Sequence, residues 1–243
     1  MRYVKGALLV LLFWYLFAYV LASPIIPFPH RVLLYLIAEG GSHNLHMHVL
    51  YSLYRMLTGM LIALFIATPV GMITGRIRSL DRVISPVLYL LYPLPKIAFL
   101  PVFMVLFGIG DLSKIVLISV IVFFPAAVSI RDGVRDISYQ YIELAQAYRL
   151  SPKELIKDII WPAVLPRIFS SIRITLGIAM SVLFISESYA ASHGLGYAIM
   201  NSWIMADYTG MYGGIVILSM LGLALYALTD TLERLLVHPA GIQ

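Results

Sequence analysis

Runs of apolar residues long enough to cross a bilayer follow one another along almost the whole chain. Of its 243 residues, 61% are hydrophobic and only 12% are charged, and the mean hydropathy is +0.92. A water-soluble domain carries far more polar surface, whereas one membrane-spanning helix needs about 20 mostly apolar residues. The sequence therefore predicts an all-α protein, a polytopic bundle of membrane helices.

Turn and proline signals divide the apolar runs into about six transmembrane helices. Prolines in residues 24–29 end the first run, because each proline removes a donor and fixes its φ, and a short amphipathic helix at the outer interface follows. Arg2 and Lys5 before the first run also fit a signal peptide, but we prefer an uncleaved first span. The amphipathic helix is predicted over residues 30–39, and the six spans over approximately residues 6–21, 48–73, 83–108, 115–130, 168–187 and 214–228.

The lysines and arginines are distributed unevenly between the two sides that six spans define. Twelve of them fall on the side of the termini and three on the other side. Because positive charge is retained in cytoplasmic loops, both termini are predicted to be cytoplasmic in a multi-pass protein of the inner (plasma) membrane. The same bias explains the formal net charge of +5 without a nucleic-acid partner. The chain has no cysteine, which excludes disulfides and thiolate metal sites.

The most polar stretch of the chain, residues 139–166, lies between the fourth and fifth predicted spans and on the predicted cytoplasmic side. Apolar residues at helical spacing predict a first short helix. A turn follows, and Ser151, Pro152 and Glu154 form the pattern of a capping box at the start of a second helix. By geometry alone, the stretch fits an ordinary capped connector between two spans equally well.

The residues of this stretch closely resemble the coupling ("EAA") loop of permease subunits in binding-protein-dependent ABC importers. The pattern of that loop is Glu-Ala-Ala, three residues, Gly, nine residues, Ile, one residue, Leu-Pro. The chain keeps this spacing with Glu143-Leu144-Ala145, Arg149, Ile159 and Trp161-Pro162. Arg149 is the departure that matters, because glycine tolerates a positive φ that costs other residues about 1–2 kcal/mol. The turn must either avoid that conformation or carry strain, which puts the docking geometry in question.

Other short motifs match the nitrate/sulfonate/taurine/bicarbonate branch of these permeases, in order along the chain. Together they imply the type I ABC importer (MetI-like) transmembrane fold. The predicted organisation is residues 1–45 for the first helix and outer interfacial helix, and residues 46–236 for the transmembrane core, which contains the coupling loop over residues 131–167. The matching motifs are Phe28-Pro29, His48, Ser52-Leu53, Arg55, Gly71, Gly75, residues 93–98, residues 100–101, residues 107–114, residues 123–125, residues 132–135 and residues 194–197.

The resemblance also implies partners and a contact surface. It implies two copies of an ABC ATPase subunit, an extracytoplasmic solute-binding protein and a second permease copy in a homodimer, all in membrane lipid. ATP and Mg²⁺ belong to the ATPase, and this chain binds no cofactor of its own. Glu143 is predicted to pair with a basic group of the ATPase. The residues predicted to couple to the ATPase are Glu143, Ala145, Ala147, Tyr148, Arg149, Leu150, Ser151 and Pro152.

The third predicted span contains the residues that we expect to line the translocation pathway. Pro93 and Pro95 free backbone groups that only protein or a water-lined cavity can satisfy. Lys96 is costly in lipid and either helps an anion to pass or pairs with an acidic group or the interface; the sequence favours neither. Glu187, at the outer end of the fifth span, is predicted to have a pathway or gate role.

Several motifs of enzymes and metal sites are missing from the sequence, and their absence argues against other functions. No GxxxxGK[ST] phosphate-binding motif occurs, so ATP hydrolysis is expected in a separate subunit and the chain is not expected to be an enzyme. The alternative function is an ion-coupled secondary transporter, which needs intramembrane carboxylates. Glu187 and Asp207 are the few candidates for that role. His43, His46 and His48 lack the carboxylates or thiolates of a metal site. The resemblance implies that the chain is the permease subunit of an ATP-driven importer for a small anionic solute, similar to nitrate, a sulfonate or taurine.

Overall fold

The computed structural model describes residues 2–39, 45–189 and 191–237, and every regular element within these ranges is a helix. The predicted all-α class is therefore confirmed for the described residues. The eleven α-helices are α1 (Arg2–Leu21), α2 (Pro29–Glu39), α3 (Leu45–Arg76), α4 (Arg78–Leu91), α5 (Leu100–Phe107), α6 (Asp111–Arg135), α7 (Tyr139–Ala147), α8 (Pro152–Glu154), α9 (Trp161–Ser188), α10 (Leu195–Ile204) and α11 (Tyr208–Val237), with a 3₁₀ turn at Lys96–Phe99 and a π-helical turn at Leu155–Ile160.

The number of continuous spans differs from the predicted six. Among the described residues, four helical segments are long and apolar enough to cross a membrane: Leu45–Arg76, Asp111–Arg135, Pro152–Ser188 and Tyr208–Val237. A fifth results if α4 and the helical segment Lys96–Phe107, which meet at an angle of 82°, count as one broken span. The apolar helix Lys5–Leu21 is shorter. The count of six is reached only when both the broken pair and this shorter helix are included.

The break in the third predicted span has a direct cause in the sequence. Pro93 and Pro95 follow the end of α4, and the backbone at Pro95 has φ −73° and ψ 76°, outside the helical region. Neither proline can donate a backbone hydrogen bond. The predicted interruption of this span is confirmed, and it produces two separate helices rather than a kink.

The described residues pack into two compact units, and each is described by itself. The first consists of Met1–Tyr54 and Leu183–Leu221, and the second of Arg55–Val182 and Gly222–Gln243. The predicted domain boundary at residue 45 lies inside the first segment of the first unit and stays a prediction. The predicted interfacial helix over 30–39 is confirmed as a helix, α2, with nearly the same bounds.

In the second unit, α3 approaches α6 through a row of small residues spaced four apart. A Cβ atom at Gly59 would lie 2.8 Å from Ile118 Cγ2, and one at Gly71 would lie 2.8 Å from the Ala127 carbonyl oxygen. Small residues allow membrane helices to pack backbone to backbone, where dispersion contacts are closest. The row therefore fixes α3 against α6, the helix that leads into the coupling loop. Its members are Gly59, Ala63, Ala67, Gly71 and Gly75.

In the first unit, aromatic side chains hold the chain around the turn between α1 and α2. Trp14 Nε1 donates a hydrogen bond of 3.1 Å to the Pro27 carbonyl oxygen, and the Trp14 ring stacks on Tyr212 with centroids 5.6 Å apart. Tyr15 and His30 share a hydrogen bond of 3.1 Å. These contacts use the polar ends of amphipathic rings whose bodies remain in an apolar setting.

Candidate functional site

The two ends of the coupling loop are tied together where α6 finishes and α9 begins. Arg167 donates a hydrogen bond of 2.6 Å from Nη2 to Asp136 Oδ2, and both side chains are more than half exposed. The Arg167 stem lies against Gly133, where a Cβ atom would come within 2.6 Å of Arg167 Cγ. The ion pair and the close contact give the loop a fixed base on the second unit.

The first helix of the loop, α7, ends in a Schellman motif. The N–H of Leu150 donates to the Ala145 carbonyl oxygen at 2.9 Å, which is the six-residue bond of that motif. The residue between the helix and Leu150 must then adopt a left-handed conformation, and Arg149 has φ 52°. The turn thus adopts the positive φ that glycine tolerates, and Arg149 bears its conformational cost.

The second helix of the loop begins with the predicted capping box, which is confirmed. Glu154 N–H donates to Ser151 Oγ at 3.4 Å, and Ser151 N–H donates to Glu154 Oε2 at 2.7 Å. Pro152 occupies the first helical turn, where its missing N–H leaves no bond unmade. The helix then passes through the π-helical turn into α9 without a break. The turn between α7 and α8 is therefore held at one end by a backbone–backbone bond and at the other by the backbone–side-chain bonds of the capping box.

The predicted coupling residues divide into exposed and buried positions. Ala145 is only 4% exposed, so its side chain has no surface to offer a partner in this conformation. Leu150 is half-buried. The other six, Glu143, Ala147, Tyr148, Arg149, Ser151 and Pro152, are exposed. No contact to a partner chain is present to test them, and their coupling role stays a prediction.

An exposed apolar row on α7 was missed by the sequence reasoning. Tyr141 is 57% exposed, Leu144 52% and Tyr148 74%. Tyr141 and Leu144 lie on one side of α7. Tyr148, the residue after its end, continues that side, since its N–H still donates to the Leu144 carbonyl oxygen. We call Tyr141, Leu144 and Tyr148 the docking row. Helical spacing could have revealed it, but of the three residues only Tyr148 is among the predicted coupling residues.

A buried ion cluster joins α4 to α6 in the same unit, and the sequence reasoning did not identify it. Arg131 Nε donates to Asp81 Oδ1 at 2.5 Å, and Arg135 makes a second ion pair with Asp81. Ser85 donates to the same carboxylate at 2.5 Å. Asp81 is 8% exposed. Because α6 continues directly into the coupling loop, this cluster connects the loop to the helix that precedes the broken span.

Lys96 lies at the break between α4 and the 3₁₀ turn. Its ammonium group donates a hydrogen bond of 2.7 Å to the Tyr92 carbonyl oxygen and lies 4.5 Å from the centre of the Phe124 ring. Within the described part of the chain, no acidic side chain pairs with it. The ammonium is thus held by a carbonyl and a ring face, and two of its three donors remain for another ligand.

Glu187 is fully buried in the first unit, in a group of side chains that we call the glutamate cluster: His48, Ser52 and Glu187. Ser52 Oγ lies 2.9 Å and 2.8 Å from the two carboxylate oxygens. The N–H of Gly196 donates to Glu187 Oε2 at 2.9 Å.

His48 and Ser52, the other members of the glutamate cluster, accept hydrogen bonds from backbone N–H groups at the start of α10. Ser52 Oγ accepts from the Leu195 N–H at 2.8 Å, and His48 Nδ1 accepts from the Gly194 N–H at 3.0 Å. The cluster therefore satisfies donors that a helix start leaves open. Nothing tests the predicted pathway role of Glu187, but these partners give its carboxylate a positioning role that the sequence did not reveal.

Among the described residues, no group of three or more His, Cys, Asp or Glu side chains could hold a metal ion. His43 lies outside the described residues. His48 instead accepts the backbone bond from Gly194. This observation concerns residues 2–39, 45–189 and 191–237 alone.

The family model of the binding-protein-dependent transport system inner membrane component matches residues 59–238. The putative aliphatic sulfonates transport permease protein SsuC of Bacillus subtilis (strain 168) is 30% identical over 217 residues, covering 89% of this chain and 77% of that protein. The taurine transport system permease protein TauC of Escherichia coli (strain K12) is 30% identical over 234 residues, covering 94% and 85%.

Two further similarities extend these findings. The nitrate import permease protein NrtB of Synechococcus elongatus is 29% identical over 164 residues, covering 68% of this chain and 59% of that protein. Among solved structures, an inward-facing MetNI methionine ABC transporter matches with a TM-score of 0.67 and 22% identity, over 78% of this chain and 94% of that chain. The structural match supports the predicted type I (MetI-like) fold.

Proposed function

Because the chain belongs to the family of binding-protein-dependent transport system inner membrane components, we propose that its coupling loop is the lever through which an ATPase subunit drives import. The chain is a membrane permease subunit of an ABC importer, and its partners are an ATPase and a solute-binding protein. It is a transport component and not an enzyme. In the proposal, ATP and Mg²⁺ are bound by the ATPase alone.

The observation that carries the proposal is the docking row on α7. An exposed apolar row on a short helix outside the long apolar spans is suited to lie in the groove of a partner, as amphipathic helices do elsewhere. Glu143, exposed beside the row, supplies the charge that pairs with a basic group of the ATPase. The buried side chain of Ala145 packs α7 against the rest of the permease and does not itself contact the ATPase. The exposed residues of the turn complete the contact with the ATPase.

The coupling loop has a physical route to the broken span within the second unit. Movement of α7 acts on α6 through the base formed by Asp136 and Arg167. The Asp81 cluster then links α6 to α4, which ends at Leu91, two residues before Pro93. In this mechanism, closure of the ATPase dimer moves the loop, and the helices of two permease copies rock from inward-facing to outward-facing. The homodimer, the two ATPase copies and the cytoplasmic termini belong to the same proposal.

We further propose that the solute is a small oxyanion. Three similar proteins are named for aliphatic sulfonates, taurine and nitrate, which share negatively charged oxygen atoms. Lys96 lies at the break formed by Pro93 and Pro95, with donors of its ammonium group left over. A cation with spare donors beside an interrupted backbone is suited to attract such an anion. Glu187 contributes to the pathway by fixing the start of α10, since a fully buried carboxylate does not meet the solute.

The experiment that tests coupling uses the complete importer in proteoliposomes, with its ATPase and binding protein. Glu143→Gln is compared with Asp158→Asn, an exposed acidic residue of the same loop. We expect Glu143→Gln to weaken ATPase binding and lower solute-stimulated hydrolysis several-fold, and Asp158→Asn to leave both near wild type. Equal, undiminished coupling in the two variants would refute the role of Glu143.

The solute proposal is tested separately by Lys96→Met, which keeps most of the side-chain length and removes the charge. Import of a sulfonate should fall at unchanged assembly with the ATPase, because the solute loses its cationic contact. Lys5→Met, an exposed lysine of α1, serves as the control. Unchanged anion import by Lys96→Met removes Lys96 from the pathway.

A further inference from the structure

A cavity of about 580 Å³ opens beside the coupling loop in the second unit. Its lining includes Arg76, Arg78 and Arg135, and none of the described residues that line it is acidic. We call this space the arginine cavity. Ligand sites of proteins commonly have volumes of about 300–1,000 Å³, so the cavity is large enough for a small polar group and part of an apolar tail.

Two of the three guanidinium groups have no counter-ion in the described part of the chain. Arg135 pairs with Asp81. The side chains of Arg76 and Arg78 make no ion pair or hydrogen bond with any described residue. Arg76 ends α3 and Arg78 begins α4, so the two charges flank a single residue, Ile77. Both guanidinium groups line the arginine cavity, and an anion bound between them lowers their mutual repulsion.

The start of α4 adds to this positive field. Ile77 is the N-cap residue, and no side chain accepts a hydrogen bond from the first amides of the helix. The open N–H groups and the positive end of the helix dipole favour an anion at this point. Arg78 places an additional positive charge at the same end. The acidic residue of the first turn, Asp81, is already engaged by Arg131 and Arg135. The combination of open amides and unpaired guanidinium groups is a recognised setting for a phosphate group.

The rest of the lining of the arginine cavity is apolar. Ile137, Ile142 and Ile160 belong to it, and Ile142 lies in α7, the first helix of the coupling loop. A free inorganic anion would satisfy the arginines but leave these isoleucines uncovered. A ligand with an anionic head and an apolar tail matches both the basic and the apolar part of the lining.

We propose that the arginine cavity binds an anionic phospholipid, with its phosphate between Arg76 and Arg78 and its glycerol and acyl portion against Ile142. Basic pockets between membrane helices on the cytoplasmic side bind such headgroups. The inference rests on the proposed cytoplasmic position of the coupling loop. The bound lipid contacts α7, and it therefore helps to hold the loop in the position that the ATPase meets.

The first test measures binding to the full-length permease purified in neutral detergent. Phosphatidylglycerol and phosphatidylcholine are added in turn, and lipid retention is followed by native mass spectrometry. The variant Arg76→Gln/Arg78→Gln is compared with Arg82→Gln, an exposed arginine of α4 that does not line the cavity. We expect retention of phosphatidylglycerol over phosphatidylcholine, with affinity about tenfold or more weaker in the double variant and unchanged in Arg82→Gln.

Two further experiments identify the ligand that fills the arginine cavity. Inorganic phosphate at millimolar concentration should not displace the lipid; if it does so completely, the site is a free-phosphate site and the lipid assignment is wrong. Binding of the ATPase subunit should leave the lipid in place. Release of the lipid on assembly, with weaker ATPase binding by the double variant in phosphatidylcholine, would show instead that the ATPase fills the cavity.

The third test asks whether lipid in the arginine cavity affects solute-stimulated ATP hydrolysis. Its result distinguishes failure of the lipid proposal from failure of the proposed function. Wild-type importer is reconstituted in nanodiscs of phosphatidylcholine with or without phosphatidylglycerol. We expect phosphatidylglycerol to raise solute-stimulated ATP hydrolysis in the wild type and in Arg82→Gln, and to have little effect in the double variant. Full coupling of the wild type in phosphatidylcholine alone overturns the lipid proposal but leaves the coupling loop intact. Equal melting temperatures in phosphatidylcholine establish that the double variant is folded.

Discussion

The coupling loop and the glutamate cluster are both polar, but they are held together in opposite ways. In the loop, the bonds of the turn join residues three to five positions apart, and the side chains around them are mostly exposed. In the cluster, Ser52 meets Glu187 across 135 positions and Leu195 across 143, and the atoms are buried. A bond in the loop can be replaced by water, whereas a bond in the cluster cannot.

This difference sets the expected sensitivity to mutation. A buried acceptor that is removed leaves donors without partners, and each such donor costs about 1–3 kcal/mol. A broken bond at an exposed turn costs about 1 kcal/mol, because solvent takes its place. The cluster is therefore expected to determine whether the permease folds, while the loop is expected to tolerate change and to influence function through its surface.

The largest effect is expected for Glu187→Ala. The Gly196 N–H and the Ser52 hydroxyl lose their acceptor in a buried site, so the variant should lose about 4 kcal/mol of stability. Thermal unfolding in detergent measures this loss. Glu187→Gln is the matched variant, because one amide oxygen can still accept from Gly196, and it should lose about half as much. Equal stability of Glu187→Ala and wild type would contradict the positioning role.

The next effect is expected for Gly194→Ala, in the segment that leads into α10. Gly194 has φ 128°, which other residues rarely adopt, and a Cβ there would overlap the Glu187 carboxylate. The loss should be about 3 kcal/mol. Gly177→Ala is the control, since no atom lies within 4 Å of its added Cβ, and an alanine within α9 should be neutral or stabilising by up to about 1 kcal/mol. Equal stability of Gly194→Ala and Gly177→Ala would contradict the proposed strain at Gly194.

A smaller effect is expected for Ser151→Ala in the coupling loop. The capping box loses the acceptor of the Glu154 amide, and the start of α8 should be destabilised by about 1 kcal/mol. Hydrogen exchange at residues 153–155 measures this loss directly, with global melting nearly unchanged. Ser79→Ala, an exposed serine outside the loop, should not alter exchange there. If Ser151→Ala lowered the melting temperature as much as Glu187→Ala, the expected difference in stability between the coupling loop and the glutamate cluster would be wrong.

The smallest effect is expected for Arg149→Gly, and it has the opposite sign. Glycine adopts φ 52° without the cost that arginine bears, although it also loses more entropy on folding, so the net gain should be about 0.5 kcal/mol. Arg149→Ala removes the same side chain but keeps the strain, and it should bring no gain. Slower hydrogen exchange at Leu150 in the glycine variant alone would support the interpretation. Equal exchange rates in both variants would show that the turn is not strained.

The features that the sequence predicted are the ones that neighbouring residues determine. The capping box at Ser151 and the interruption at Pro93 and Pro95 follow from residues a few positions apart, and both are confirmed. Arg149 could be recognised as a departure only through the family pattern, and the structure supplies its φ.

The features that the sequence did not predict depend on residues far apart in the chain. Neither Ser52 with Glu187 nor Asp81 with Arg131 carries a local signal, because each residue alone fits an ordinary polar position in a helix. The row of small residues in α3 has a regular spacing, but its partner helix becomes evident only when α6 is in place. Long-range pairing in a helical membrane protein thus requires the packing itself to be known.

The most direct test asks which side of the membrane the docking row faces and whether the ATPase covers it. The chain has no cysteine, so Tyr148→Cys introduces a single reactive thiol at an exposed position of the loop. In oriented membranes, a maleimide that cannot cross the bilayer should label this thiol only from the cytoplasmic side, and bound ATPase subunit should protect it. Labelling from outside, or labelling that the ATPase does not affect, would contradict the account.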